Sequence, residues 1–312
     1  MQIWLIGAGQ MAQSYARVLI ALGHSFKVIG RGPESAKVFS DNINHPVETG
    51  GVVKALETLG SPDLAIVAVG VSDLAKTAVL LVEAGTNRIL LEKPGGLDLS
   101  ELRYLNCIVK SNNCSVLIGY NRRFYASVEK AQQLILHDGG ALSARFEFTE
   151  WSHVIRDLKI EHQIKENWLM ANSTHVIDLA FFMIGKPLEL HHRHSGNLEW
   201  HKSSARFCGS GVTENKILFS YFADWESAGR WSLEICTRHN RFILSPMEKL
   251  DVVRLGTIEA VPVVVDDSLD QKFKPGLFNQ TRAFLCGDDS KLCRLDEQLV
   301  HAEIYSKIAG YS

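Results

Sequence analysis

Gly7-Ala8-Gly9-Gln10-Met11-Ala12 follows directly on the apolar run Ile3-Trp4-Leu5-Ile6 and opens an amphipathic stretch. The string fits G-x-G-x-x-G/A, and the strand before it and helix after it are what give it meaning. Gly7 permits a tight turn, Gly9 lets the backbone approach a pyrophosphate, and Ala12 is small enough for close packing of helix on strand. Gln10 and Met11 complete the turn, so the free N–H groups and partial positive charge of the helix start face the phosphates. The stretch predicts a dinucleotide site. Its bland counterpart is a glycine-rich βα turn that binds nothing.

Outward from this turn, short apolar runs alternate with amphipathic stretches as far as residue 120, the pattern of a parallel sheet with crossover helices. Candidate strands are 2–6, 25–29, 64–69, 88–91 and 115–119, with helices at 11–22, stopping at Gly23, and 74–84, stopping at Gly85. From residue 141 the texture becomes that of half-exposed antiparallel strands, at 145–148, 216–219, 231–235 and 241–244. One apolar helix, 168–184, ends at Gly185 and Pro187, and two more are expected near 277–285 and 296–308. Phe219, Phe222, Trp225 and Trp231 read as one face of the later sheet, either core or a dimer interface.

A chain of 312 residues is about twice the ~150 residues of one domain, so two are expected: 1–120, a nucleotide-binding Rossmann domain, and 121–312, an α+β domain for substrate and oligomerisation. With 46% hydrophobic and 22% charged residues, the chain can bury two cores. Lys and Arg number 33 against 35 Asp and Glu, a net charge of −2, so nucleic acid is not an expected partner. Six cysteines without CxxC spacing read as reduced thiols. No apolar run reaches the ~18 residues of a membrane span, and the chain opens into Met1-Gln2-Ile3 without a basic leader. The expectation is a soluble, cytoplasmic protein with no membrane partner.

The end of the second strand selects between nicotinamide cofactors. Val28-Ile29-Gly30-Arg31-Gly32 carries no carboxylate for ribose hydroxyls, whereas Arg31 can pair with a 2′-phosphate, helped by Ser35 and Lys37. NADP is preferred over NAD on this reading; Arg31 stacked on adenine or left in solvent is the alternative. Glu92-Lys93-Pro94 follows the strand at 88–91 on the carboxyl side of the sheet, where ligands of open α/β sheets bind. The Lys93 ammonium can hydrogen-bond an alcohol or carbonyl oxygen, and a neighbouring cationic nicotinamide would draw its pKa toward an acid/base range. A plain surface pair of Glu92 and Lys93 is the competing view.

Four motifs, Gly7 to Ala12, Glu92-Lys93-Pro94, Gly119-Tyr120-Asn121-Arg122-Arg123-Phe124 and His175-Val176-Ile177-Asp178, stand in order and spacing that resemble the glucose-fructose oxidoreductase / inositol dehydrogenase / MocA family over essentially the whole chain. The resemblance implies an N-terminal Rossmann domain with a doubly wound parallel sheet. It also implies a C-terminal domain with a large open, predominantly antiparallel sheet flanked by helices, which often mediates homodimers or homotetramers. The implied activity is nicotinamide-dependent oxidation or reduction of a sugar, polyol or sugar derivative, anionic and nucleotide sugars included.

By position, Lys93 resembles the family's catalytic lysine, Pro94 its adjoining and often cis proline, and His175 its active-site histidine. Read alone, His175 on an apolar helix would be a hydrogen-bonded core residue. Asn121, Arg122 and Arg123 match a segment that borders cofactor and substrate in the family, with Arg122 toward the cofactor. Arg123 is either a clamp for a carboxylate or phosphate or an interdomain salt bridge. Asp178 reads as structural. One departure stands out: where the family often has an aspartate one turn before the histidine, this chain has Ala171, with Asn172 beside it as a neutral donor and acceptor. A catalytically idle NAD(P)-sensing protein is therefore the rival reading, and reduction of an imine or linear tetrapyrrole on a related fold is a second enzyme reading.

Residues 151–167, beginning at Trp151, read as a long loop bordering the substrate cleft. His153, Arg156, Lys159, His162 and Lys165 suit either an anionic substrate or plain solvent. His191-His192-Arg193-His194 reads as a solvated or interface strand, because adjacent strand residues point to opposite faces; no metal is expected.

Overall fold

The computed structural model describes residues 1–311. The chain forms two compact units, Met1–Asn121 joined by Gln271–Val300, and Arg122–Asp270 joined by the chain from His301 onward. The return of 271–300 to the first unit is absent from a single cut near residue 120.

The first unit is built on a seven-stranded sheet. Ile3–Ile6, Lys27–Ile29, Val47–Glu48, Leu64–Val67, Arg88–Glu92 and Ser115–Gly119 run parallel, and Cys293–Arg294 adds an antiparallel edge beside Ser115–Gly119. Ile3–Ile6 and Leu64–Val67 are buried at every position, as continuous apolar strands covered on both faces must be. Strand order reverses at Ile3–Ile6, which pairs with Leu64–Val67 on one side and Lys27–Ile29 on the other. That reversal opens a crevice at the carboxyl ends of the strands. Val47–Glu48 and the helices Pro33–Ile43, Gly51–Leu59 and Leu99–Asn112 complete the expected βα pattern. The returning helix Leu277–Cys286 ties in through Gln280, whose Nε2 donates to the Tyr15 hydroxyl at 2.9 Å.

The second unit carries an eight-stranded sheet in the order Val261–Pro262, Asp251–Arg254, Asn240–Leu244, Ser232–Cys236, Ser143–Glu147, Leu218–Asp224, Arg206–Thr213, Pro187–Ser195. Every pair is antiparallel except the central Ser143–Glu147 with Leu218–Asp224. Helix Thr174–Ile184 packs on one face: the Phe181 ring meets Phe146 edge-on at 5.8 Å and Phe219 at 5.6 Å. Each such buried phenylalanine contributes about 1.5–3 kcal/mol.

Side-chain parity corrects one expectation, and the backbone course corrects two more. Along Leu218–Asp224, Phe219 and Tyr221 point inward while Leu218 and Phe222 are exposed, so Phe222 does not share a face with Phe219, Trp225 and Trp231, which are all buried. Positions 219 and 222 differ by an odd number, and a strand sends them to opposite sides. Residues 151–167 are not a plain loop but contain two short helices, Ser152–Arg156 and His162–Glu166. The helix expected at 168–184 is also divided, into a π-helical turn at Leu169–Ser173 and the α-helix Thr174–Ile184. His191–His194 lie in the edge strand Pro187–Ser195. Among the described residues, no helix is long and apolar enough to cross a membrane, and all six cysteines are free thiols.

Candidate functional site

In the first unit, the turn after Ile3–Ile6 is shaped by two glycines for different reasons. Gly7 has φ +119°, and a Cβ there would lie 2.3 Å from the Ala68 carbonyl oxygen, so the protein itself excludes a side chain. At Gly9, just before helix Gln10–Ala21, a Cβ would meet nothing within 4 Å. The fold itself does not require glycine there, and the backbone is open to close approach. No side chain caps the helix start and no acid lies in its first turn, leaving its N–H groups and partial positive charge to an anion. Ala12 is fully buried where the helix meets the sheet.

A cleft of about 970 Å³ opens over this turn, lined by Gly9, Gln10, Met11, Arg31, Ser35 and Lys76 among others. Arg31 is 85% exposed and its Nη1 donates to Asp73 at 3.0 Å. Asp73 and Lys76 are lining residues that sequence reading missed. The open backbone at Gly9, the uncapped helix and the cleft's size fit a dinucleotide.

Lys93 and Pro94 leave the carboxyl end of strand Arg88–Glu92 through a cis peptide, as the family resemblance implies. Lys93 is half-buried, and Gln298 Nε2 donates to the Pro94 carbonyl at 2.9 Å. Glu92 is bound within the first unit. Its Oε1 accepts the Tyr15 hydroxyl at 2.6 Å, and Gly119 passes so close that a Cβ there would sit 3.2 Å from the same oxygen. Burial raises the Glu92 pKa, against the opposing pull of the Tyr15 bond and of the charges on Lys93 and Lys274. Burial and Glu92 together push the Tyr15 phenol well up. Asn121 is buried, with Nδ2 donating to the Pro275 carbonyl at 2.8 Å.

In the second unit, Arg123 and Asp178 face each other fully buried, Nε and Nη2 reaching the carboxylate at 2.8 and 2.5 Å. The Asp178 pKa is lowered because the guanidinium's charge and bonds outweigh burial. The pair lies within one unit, and Arg123 presents no exposed fork to a substrate. Asp178 anchors helix Thr174–Ile184, one turn after His175.

His175 is buried with its ring 6.1 Å from that of Trp231. Around them stand residues that the sequence did not single out. Glu150, 1% exposed, accepts Asn172 Nδ2 at 2.9 Å and Ser173 Oγ at 2.8 Å on Oε1, and Arg230 Nη1 at 2.9 Å on Oε2. Burial raises the Glu150 pKa against these partners. Arg230 lies over Trp151 at 4.8 Å and over Trp231 at 4.4 Å, and Arg122 lies over Trp231 at 4.7 Å. Trp151 is half exposed and donates its indole N–H to the Gly229 carbonyl at 3.1 Å. Arg122 thus packs with the Trp231 indole and with the Tyr125 ring. The one available signal for Glu150 was parity: it continues the inward positions Ala144, Phe146 and Phe148 past the strand end.

Residues 2–91 match the family model described as NADP oxidoreductase coenzyme F420-dependent. No curated protein matches the chain in sequence. Among solved structures, an oxidoreductase from Agrobacterium radiobacter in complex with NAD+, L-tartaric acid and magnesium is 14% identical, with TM-score 0.77 over 100% of this chain and 96% of that one. UDP-N-acetylglucosamine 3-dehydrogenase from Acidithiobacillus ferrooxidans is 16% identical, with TM-score 0.74 over 99% and 97%. Levoglucosan dehydrogenase in complex with NADH is 16% identical, with TM-score 0.78 over 99% and 96%. The chain shares its fold with these oxidoreductases over its whole length. Where the family that the sequence resembles often has an aspartate, Ala171 is buried at 5% exposure in the π-helical turn, and Glu150 is the carboxylate that accepts from Asn172 and Ser173 of that turn.

Proposed function

We propose that the protein is an NAD(P)-dependent oxidoreductase that moves a hydride between nicotinamide and a carbinol carbon of a sugar, polyol or sugar derivative. The observation that carries this reading is the open backbone of Gly9 at an uncapped helix start, above a cleft of dinucleotide size. Levoglucosan dehydrogenase and UDP-N-acetylglucosamine 3-dehydrogenase, which share the fold, support the sugar class.

When bound, the nicotinamide supplies the hydride acceptor or donor. Gly7, Gly9, Gln10, Met11 and Ala12 hold the pyrophosphate, and Arg31 pairs with a 2′-phosphate, favouring NADP over NAD. Lys93 hydrogen-bonds the reacting oxygen and passes its proton, with the Glu92 carboxyl as its chain neighbour. His175 binds or relays the hydroxyl proton, and Asn172 offers the substrate a neutral contact. The exposed Leu218 and Phe222 on the uncovered sheet face support a homodimer or homotetramer built on that face. Free thiols throughout support a cytoplasmic setting.

Ala171 favours a second reading, an NAD(P)-sensing protein without turnover. A panel of sugars, polyols and sugar acids assayed with NADP+ and NAD+ by absorbance of the reduced nicotinamide separates the two. Turnover that falls about 10²–10⁴-fold in Lys93→Ala, with NADPH affinity retained, establishes the oxidoreductase. Tight NADPH binding with no turnover across the panel establishes the sensor.

A further inference from the structure

Arg230 is held as a recognition group is held. Its Nη1 is fixed at 2.9 Å by the buried Glu150 carboxylate, and two indoles, Trp151 and Trp231, flank its guanidinium. It makes no other hydrogen bond among the described residues, yet the side chain is 44% exposed. A planar cation clamped on one edge and stacked on its faces loses little entropy when its free edge takes a carboxylate or phosphate in bidentate fashion. Beside it, Arg122 Nε and Trp231 Nε1 are buried donors that find no acceptor among the described residues. Two guanidiniums therefore share one indole with one directly paired acid, Glu150; Glu248, which also acts on Arg122, is exposed and screened by solvent.

We infer that Arg230 and Arg122, set around the Trp231 indole beside His175, form a subsite for the carboxylate or phosphate of an anionic sugar derivative. The inference deepens the oxidoreductase reading by naming its substrate class, and it rests on that reading for the identity of the reacting end. One indole separates the anion site from His175, so a sugar lying along Trp231 presents a hydroxyl to the histidine and its charged group to Arg230. Several of the cations that sequence brings forward have partners of their own. Arg123 is bound to Asp178, Arg156 to Asp157 at 3.0 Å, His162 to Glu166 at 3.4 Å, and Lys165 to the Arg156 carbonyl at 2.7 Å.

The full chain, with and without NADPH, is titrated calorimetrically with D-glucuronate, D-glucose 6-phosphate and D-glucose. The expected result is binding of one or both anions about tenfold or more tighter than glucose. The stronger of the two tells carboxylate from phosphate. Arg230→Gln should abolish that preference, and Arg230→Lys, which keeps a charge for Glu150 but lacks the fork, should restore part of it. Because Arg230→Gln leaves a buried carboxylate unpaired, Glu150→Gln/Arg230→Gln is titrated alongside it, with thermal melts reporting folding. The inference is overturned if glucose binds as tightly as both anions, if no ligand of the three binds, or if the folded Arg230 variants keep the anion preference. Anion binding that depends on Arg230 in a chain that fails to bind NADPH would uphold the subsite while removing the oxidoreductase reading. Turnover of neutral sugars indifferent to Arg230 would do the reverse.

Discussion

Glu150 receives the Asn172 side chain at 2.9 Å, and because an ionised carboxylate only accepts, the Asn172 amide must turn its Nδ2 toward the acid and its Oδ1 away. The carboxylate absent from helix position 171 is matched by one just past the strand Ser143–Glu147, where it orients a neutral amide. Asn172→Asp would set two carboxylates against each other. We expect a loss of about 1–3 kcal/mol near neutral pH, relieved as pH falls and the pair takes up a shared proton. Urea unfolding at neutral and mildly acidic pH checks this, and a variant equally stable at both would contradict it.

The two glycines of the nucleotide turn separate folding from binding. Gly7→Ala meets the Ala68 carbonyl and a left-handed φ, so it should destabilise by about 1–3 kcal/mol or more. Gly9→Ala meets nothing and should melt like the parent chain, while its NADPH affinity drops by about tenfold or more. Fluorescence titration with NADPH, paired with thermal melts, measures both; wild-type affinity in Gly9→Ala would remove the pyrophosphate from this turn.

Arg31 is exposed and, among the described residues, is held by Asp73 at 3.0 Å, so a 2′-phosphate would compete with that aspartate for it. Arg31→Ala should weaken NADPH by about tenfold and leave NADH nearly unchanged, and raised ionic strength should erode the NADPH preference of the parent. Tighter NADH than NADPH in the parent, indifferent to Arg31, would reverse the cofactor assignment.

Acid sensitivity should centre on His201. The Ser204 carbonyl, 2.6 Å from Nδ1, can only accept, so Nδ1 carries the proton; Nε2 then accepts the Tyr311 hydroxyl at 2.9 Å. Burial lowers the His201 pKa from 6.5 to about 4. A base whose folded pKa is depressed takes up its proton more readily when unfolded. Its contribution is therefore complete above pH 6.5 and is lost as pH falls from there toward 4, at up to about 1.4 kcal/mol per pH unit. Stability curves across this window should flatten in His201→Asn; an unchanged slope would place the acid lability elsewhere.

What could be read from the chain was local. Gly7 to Ala12 carries strand, turn and helix within one short string, and Lys93 follows from its place at a strand end. The exposed, two-residue strand Val47–Glu48 has no pattern long enough to register. Phe222 was assigned to the wrong face because aromatic type was weighed above its odd spacing from Phe219. Glu150 and Arg230 are 80 residues apart, and neither has a neighbour in sequence that foretells the other. The π-helical turn before His175 looks in sequence like any other apolar helix, since helix-forming residues do not distinguish a five-residue hydrogen-bond span from a four-residue one.

The return of residues 271–300 to the first unit sets an order in time. When residue 121 has left the ribosome, six parallel strands are in hand, but Tyr15 lacks Gln280, Arg88 lacks Asp289, and the sheet edge at Ser115–Gly119 lacks Cys293–Arg294. At ~5–20 residues per second, the missing segment arrives roughly 10–35 s later. For that interval the nascent nucleotide-binding half has an open strand edge, a state that chaperones are suited to shield and that a fragment ending at residue 120 would never leave.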